Sequence, residues 1–145
     1  MTGETPACIV TAAEASVPGL PRLACAYPQL HVTDIARAIS FYVDKLGFTE
    51  IYRYGTPSFY ALVERGGAGL NLRHVDAQLI EQATIERESL IVASIPVYGV
   101  EALYDEITQR GTPLAQALTQ QPWGAKDFIV RDPDGNLICF GAATA

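Results

Sequence analysis

The residues best equipped for chemistry in this 145-residue chain are few: two histidines, His31 and His74, and three cysteines, Cys8, Cys25 and Cys139. A metal centre needs several such side chains converging on one ion. The cysteines are odd in number and stand at unrelated spacings with no C-x-x-C pair, which excludes a zinc or dithiol motif and predicts a reduced, cytoplasmic setting. Alternation sets His31 on the polar side of its strand and His74 on the apolar side of another, so the two do not meet, and each reads as a hydrogen-bonded structural residue. There is no G-x-S-x-G elbow, P-loop or G-x-G-x-x-G fingerprint. The cluster Gly66-Gly67-Ala68-Gly69 lacks the Lys and helix of a phosphate cradle and reads as a tight hairpin. Glu64, Asp76, Glu81, Glu86 and Glu88 fall mostly in one polar stretch, where charges solvate a surface.

Any site must therefore be assembled from side chains on regular elements. Gln29-Leu30-His31-Val32 is a strand, Thr33-Asp34 supplies helix-capping oxygens, and Ile35, Ile39, Val43 and Leu46 mark one buried helical face ending at Gly47, a left-handed cap. Strands follow near 48–54, 58–64 and 69–74, separated by Gly55-Thr56-Pro57 and Gly66-Gly67. After a polar, acidic connector the pattern repeats, with a strand at 91–98, a helix at 100–110 and Gly111 in the place of Gly47. A shift of 64 residues lays Leu103 on Ile39 and Ile107 on Val43, the mark of a duplicated module. The expected fold is α+β: two βαβββ modules forming a curved mixed sheet with helices on the outer face. The expected divisions are an arm over 1–25 and one domain over 26–145, with module one at about 27–75, the connector at about 76–88 and module two at about 89–142. In the strands Leu30 and Val32 oppose Gln29 and His31, and Leu70 and Leu72 oppose Asn71 and Arg73. A polar sheet face is thereby left toward solvent or a ligand.

Composition bounds the partners. With 49% hydrophobic and 18% charged residues the chain is globular, and it is long enough for one core but short for two. No apolar run approaches the roughly 20 residues of a membrane helix, and the N-terminal stretch does not read as a secretory signal. A net charge of −6 argues against a nucleic-acid surface and mildly favours a cationic partner.

Two segments carry a family likeness. Residues 29–48, QLHVTDIARAISFYVDKLGF, and 121–140, QPWGAKDFIVRDPDGNLICF, resemble the glyoxalase/bleomycin-resistance/dioxygenase, or vicinal oxygen chelate, superfamily. The Trp-Gly ahead of Asp-Phe, then Asp132-Pro133-Asp134-Gly135-Asn136, is similar to the bleomycin-resistance branch in particular. Read physically, that last run is a turn and carries no chemistry. The resemblance implies a divalent metal in the catalytic members, held by His, Gln or Glu from four strands. Carried over, those positions are Tyr27, Asn71, Val92 and Cys139, none of the expected types, so no metal, no cofactor and no metal-assisted catalysis are expected.

The site expected from this likeness is a cleft lined by Tyr27, Gln29, His31, Asn71, Arg73, Val92, Ser94 and Cys139, with Tyr52, Tyr54, Phe59, Tyr60 and Trp123 at its mouth to stack flat rings. The branch implies a homodimer whose subunits create the pocket between them and sequester an aromatic, cationic antibiotic of bleomycin type unaltered, with Trp123 stacking on it; a single Trp in a small domain equally reads as a core residue. Neither nucleic acid nor membrane is an expected partner. Arg53 and Arg73 bring positive charge near the cleft, which leaves an anionic metabolite as another ligand class. The alternatives are an enzyme of the same fold, a lyase or dioxygenase with an atypical metal site, and a dimeric module without a small ligand.

Overall fold

The computed structural model describes residues 19–144; Cys8 and residues 1–18 of the expected arm lie outside the described residues. In chain order the elements are β1 (Gln29–Val32), α1 (Ile35–Asp44), β2 (Thr49–Tyr54), β3 (Tyr60–Arg65), β4 (Ala68–His74), α2 (Gln82–Glu88), β5 (Ile91–Pro96), α3 (Val100–Gln109), β6 (Leu114–Gln120), β7 (Ala125–Arg131) and β8 (Leu137–Ala143). Two βαβββ modules result. Their strands form two four-stranded mixed sheets of identical topology, β1-β4-β3-β2 and β5-β8-β7-β6. In each, the first strand pairs parallel to the last and the remaining pairs are antiparallel.

Helix α1 begins where Asp34 accepts a hydrogen bond from the Arg37 amide at 3.0 Å, satisfying one of the donors a helix start leaves open. Its buried residues Ile35, Ala38, Ile39 and Tyr42 recur at three- and four-residue spacing. Gly47 and Gly111, with φ of 72° and 73°, turn the chain out of the two long helices as their sequence positions require. One cluster of buried side chains joins the helices to the inner faces of both sheets, with Leu30, Val32, Val63, Leu70 and Leu72 from sheet one and Ala93, Phe128, Val130, Ile138 and Phe140 from sheet two. The faces turned away from this core carry the polar residues.

The connector differs from a plain acidic link, for its second half folds as α2. Only Ile85 of this helix is buried, and one apolar residue gives no periodicity to read. Its C-terminal cap is Ser89 in the left-handed region, φ 50°, where a sequence reading looks for Gly or Asn.

The modules are joined through polar contacts at both ends. Turn 132–136 of module two reaches module one: the Tyr42 hydroxyl donates to Asp132 Oδ2 at 2.8 Å, the Thr33 amide and hydroxyl donate to Asp134 Oδ1 at 3.0 and 2.6 Å, and Asn136 Nδ2 donates to the His31 carbonyl at 3.0 Å. Asp132 Oδ1 also accepts the Asp134 and Asn136 amides, so the Asp-Pro-Asp-Gly-Asn run is the turn its composition predicts. At the other end Arg65 grips Glu106 with two bonds of 2.8 and 2.9 Å, and Lys45 Nζ donates to the Arg110 carbonyl at 2.8 Å.

Candidate functional site

Strand register decides which side chains share a face, because directly opposed residues point the same way. On the outer face of sheet one Gln29, Asn71, Leu62 and Tyr52 form one row, and His31, Arg73, Tyr60 and Tyr54 the next. An irregularity between Glu50 and Tyr52 brings both β2 tyrosines to this side. The Tyr52 and Tyr60 rings stack with centroids 6.3 Å apart and planes 22° off parallel. Tyr54 meets Phe59 edge to face at 5.9 Å, and the Arg73 guanidinium lies 5.6 Å from the Phe59 centroid. Tyr27 lies over Gly69, so closely that a Cβ there would come within 2.4 Å of its ring.

This face carries a group of rings, with Glu64, buried opposite Gly69, and Arg73 as its acidic and basic residues. Partial burial, then the neighbouring Tyr60, raise the Tyr52 phenol above its ordinary pKa, which keeps it a hydrogen-bond donor. Arg53, opposite Ala61 on the other side of β2, pairs with Glu50 at 2.5 Å. Arg73 remains, over its aromatic ring.

On sheet two the corresponding row is Ser94, Cys139, Ile129 and Gln116. Val92 lies two residues before Ser94 on β5 and is exposed. Burial, then the charge of Asp127, push the Cys139 thiol up to about 11; it is a protonated, weakly polar group and a poor nucleophile at neutral pH. Trp123 occupies the turn between β6 and β7, closed by the Gly124 amide on the Gln121 carbonyl at 3.2 Å with Gly124 at φ 84°. Trp123 is 72% exposed, so it is no part of the core.

Residues that a sequence reading passed over also stand here. Asp127 Oδ1 accepts hydrogen bonds from Gln116 Nε2 at 2.7 Å and Gln121 Nε2 at 2.9 Å. Alternation in β7, with Phe128 and Val130 buried, was enough to put Asp127 on the outer face; the bulged register of β6, which brings Gln116 to it, has no sequence signal.

The candidates thus divide between two sheet faces, and they do not share one enclosed cavity. The larger cavity, about 770 Å³, lies between the modules against Leu70, Ile95, Val97, Leu103 and Phe140, and Ser94 alone of the expected ligand-contacting residues lines it. These are core-side walls, and the expected aromatic and hydrogen-bonding groups stand instead on the outer faces. A smaller hollow of about 100 Å³ takes in His31, Val92, Leu79, Ile80 and Asp134.

The metal positions of the family do not suit an ion here. Among the described residues no three of His, Cys, Asp and Glu come together around one point. Tyr27, Asn71, Val92 and Cys139 offer a phenol, an amide, a hydrocarbon and a thiol held protonated, a poor donor set for a divalent cation. What the faces can do is stack flat rings and donate and accept hydrogen bonds.

Comparison with known proteins gives the family. A bleomycin resistance protein of Geobacillus stearothermophilus is 33% identical over 123 residues, 78% of this chain and 92% of that protein, and one of Staphylococcus aureus matches to the same extent. Among solved structures, the bleomycin-binding protein of the bleomycin-producing Streptomyces verticillus, complexed with copper(II)-bleomycin, superposes with a TM-score of 0.66 at 26% identity, covering 86% of this chain and 99% of that one. The bleomycin resistance determinant of transposon Tn5 shares the fold at 19% identity, with a TM-score of 0.67 over 83% of this chain and 98% of its own. Residues 23–140 match the family as a whole, and the chain belongs to the Glyoxalase/Bleomycin resistance protein/Dioxygenase superfamily.

Proposed function

We propose that this protein binds and sequesters an aromatic, cationic antibiotic of bleomycin type, without a metal of its own and without altering the ligand. The observation that carries the reading is the run of rings on the outer face of sheet one, Tyr52 stacked on Tyr60 and Tyr54 against Phe59, beside Gln29 and Asn71 as hydrogen-bonding partners. Trp123, exposed on the turn of sheet two, adds a free aromatic plane. The relatives that bind bleomycin support the ligand class. Cys139, pushed up to about 11, supports binding over covalent catalysis. The protein works as a cytoplasmic homodimer in this reading, the second copy completing the walls that the two outward faces leave open.

Isothermal titration and thermal unfolding with metal-free and copper-loaded bleomycin test it. A ligand taken up only by the folded chain raises Tm as its concentration exceeds Kd. Recovery of unmodified bleomycin from the complex is expected. No rise in Tm and no binding heat, or a changed product in the recovered ligand, would overturn the reading. Light scattering at micromolar concentration should give twice the chain mass.

A further inference from the structure

Asp127 is held by two amides on one oxygen. Gln116 and Gln121 both donate to Oδ1, and among the described residues no hydrogen bond reaches Oδ2. No Lys or Arg side chain among them pairs with it either. The acids Glu50, Glu86, Glu101 and Glu106 each have a basic partner, and Arg131, four residues along the same face of β7, is taken by Glu86. Lys126 is bound to Glu101. Gly141 stands opposite Asp127 on β8 and puts no side chain beside it. The carboxylate is therefore oriented, half-buried and without a countercharge, and its field reaches Cys139. Gln121 also opens the turn that carries Trp123, so one hydrogen bond ties the charge to the start of that turn.

We infer that Asp127 is the counter-ion of the binding site: it receives an ammonium or guanidinium group of the aromatic ligand while its other oxygen stays with Gln116 and Gln121. This rests on the ligand-binding reading above and assigns the ligand's positive charge to sheet two, away from Arg73 on sheet one. A partly desolvated charge-assisted bond of this kind discriminates a cation from its neutral analogue by about 10- to 100-fold.

The test uses Asp127→Asn, which keeps a carbonyl oxygen for Gln116 and Gln121 while the charge is removed and the free oxygen becomes an NH2 donor. A bleomycin with a free terminal amine and its N-acetylated form are titrated into the full-length wild type and variant. The wild type should bind the amine about 10- to 100-fold more tightly than the acetylated form. The variant should bind the two alike, at the wild-type affinity for the acetylated form. An unchanged circular dichroism spectrum and an unchanged denaturant midpoint in the free variant report that the fold is kept. Should the variant fail to fold, the wild type still decides: affinity for the amine must fall with added salt more steeply than affinity for the acetylated form. Equal affinity of the variant and wild type for the amine, or equal salt dependence for both probes, would overturn the assignment while leaving the ligand reading intact. Failure of the wild type to bind either probe overturns the ligand reading and this assignment with it.

Discussion

The Tyr42 hydroxyl on helix α1 donates a 2.8 Å hydrogen bond to Asp132 Oδ2 in the β7–β8 turn, tying a fully buried ring of module one to a carboxylate of module two that is itself 4% exposed. Burial raises the pKa of both groups; for Asp132 the bonds from Asn136, Tyr42 and the turn amides pull the other way. Tyr42→Phe removes one donor from a buried carboxylate and leaves the packing in place. We expect a loss of about 1.5–3 kcal/mol at neutral pH, the usual worth of a hydrogen bond to a charged group, read from denaturant unfolding.

The same pair sets a pH dependence whose sign can be worked out. The Tyr42 bond lowers the Asp132 pKa, so the folded wild type holds its carboxylate ionised more readily than folded Tyr42→Phe does. The stability advantage of wild type over variant is therefore full above the folded pKa values of both and shrinks as pH falls through them. Because the Asp132 pKa is raised from 3.8, that decline begins above the ordinary aspartate range. Stability curves for both proteins from pH 7 to pH 3 check this. A gap that stays constant, or widens toward acid, would mean that the bond does not favour the carboxylate.

Close approach of Tyr27 to Gly69 gives a prediction of a different kind. A Cβ at Gly69 would stand 2.4 Å from Tyr27 Cε1, a distance no side chain tolerates, and the ring must move. Gly69→Ala should cost about 1–3 kcal/mol, as overpacking does. Displacing Tyr27 from the face it shares with Gln29 should weaken bleomycin binding as well. Gly67→Ala is the control, because nothing lies within 4 Å of a Cβ there.

Much of this fold is legible in the residues. Asp34 caps α1, Gly47 and Gly111 take positive φ, and alternation puts Leu30, Val32, Leu70 and Leu72 in the core. These features depend on local sequence alone. Helix α2 escapes because Ile85 is its single buried residue and Ser89 closes it, so neither period nor cap betrays it. The site is legible only in part. The polar face of β1 and β4 follows from alternation, but the position of Tyr52 and Tyr54 depends on a bulge in β2, and the meeting of Gln116 with Asp127 on bulges in β6. Such irregularities are set by pairing with distant strands, which local periodicity does not encode.

Cys139 should react slowly with alkylating reagents. With its pKa near 11, roughly one thiol in a thousand is ionised at pH 8, and the thiolate is the reactive form. Burial is the larger cause and the Asp127 charge the second, so Asp127→Asn should speed modification, and by less than unfolding does. Peptide mass spectrometry after timed iodoacetamide exposure separates Cys139 from Cys8 and Cys25. An unchanged rate in Asp127→Asn would show that the Asp127 charge does not reach the thiol.

Trp123 separates stability from binding. Its side chain is 72% exposed, and substitutions at such positions usually change stability by no more than about 0.5 kcal/mol. Trp123→Ala should therefore unfold at nearly the wild-type denaturant concentration. The free protein should emit as an indole in water does, since Trp123 is its one tryptophan. If the ring stacks on the ligand, bleomycin should quench or shift that emission, and the variant should lose about 1–3 kcal/mol of binding free energy, the scale of stacking on a flat base. Unfolding and titration on the same preparation distinguish the cases. Wild-type affinity in a well-folded Trp123→Ala protein would remove Trp123 from the site and leave the rings of sheet one to carry the ligand alone.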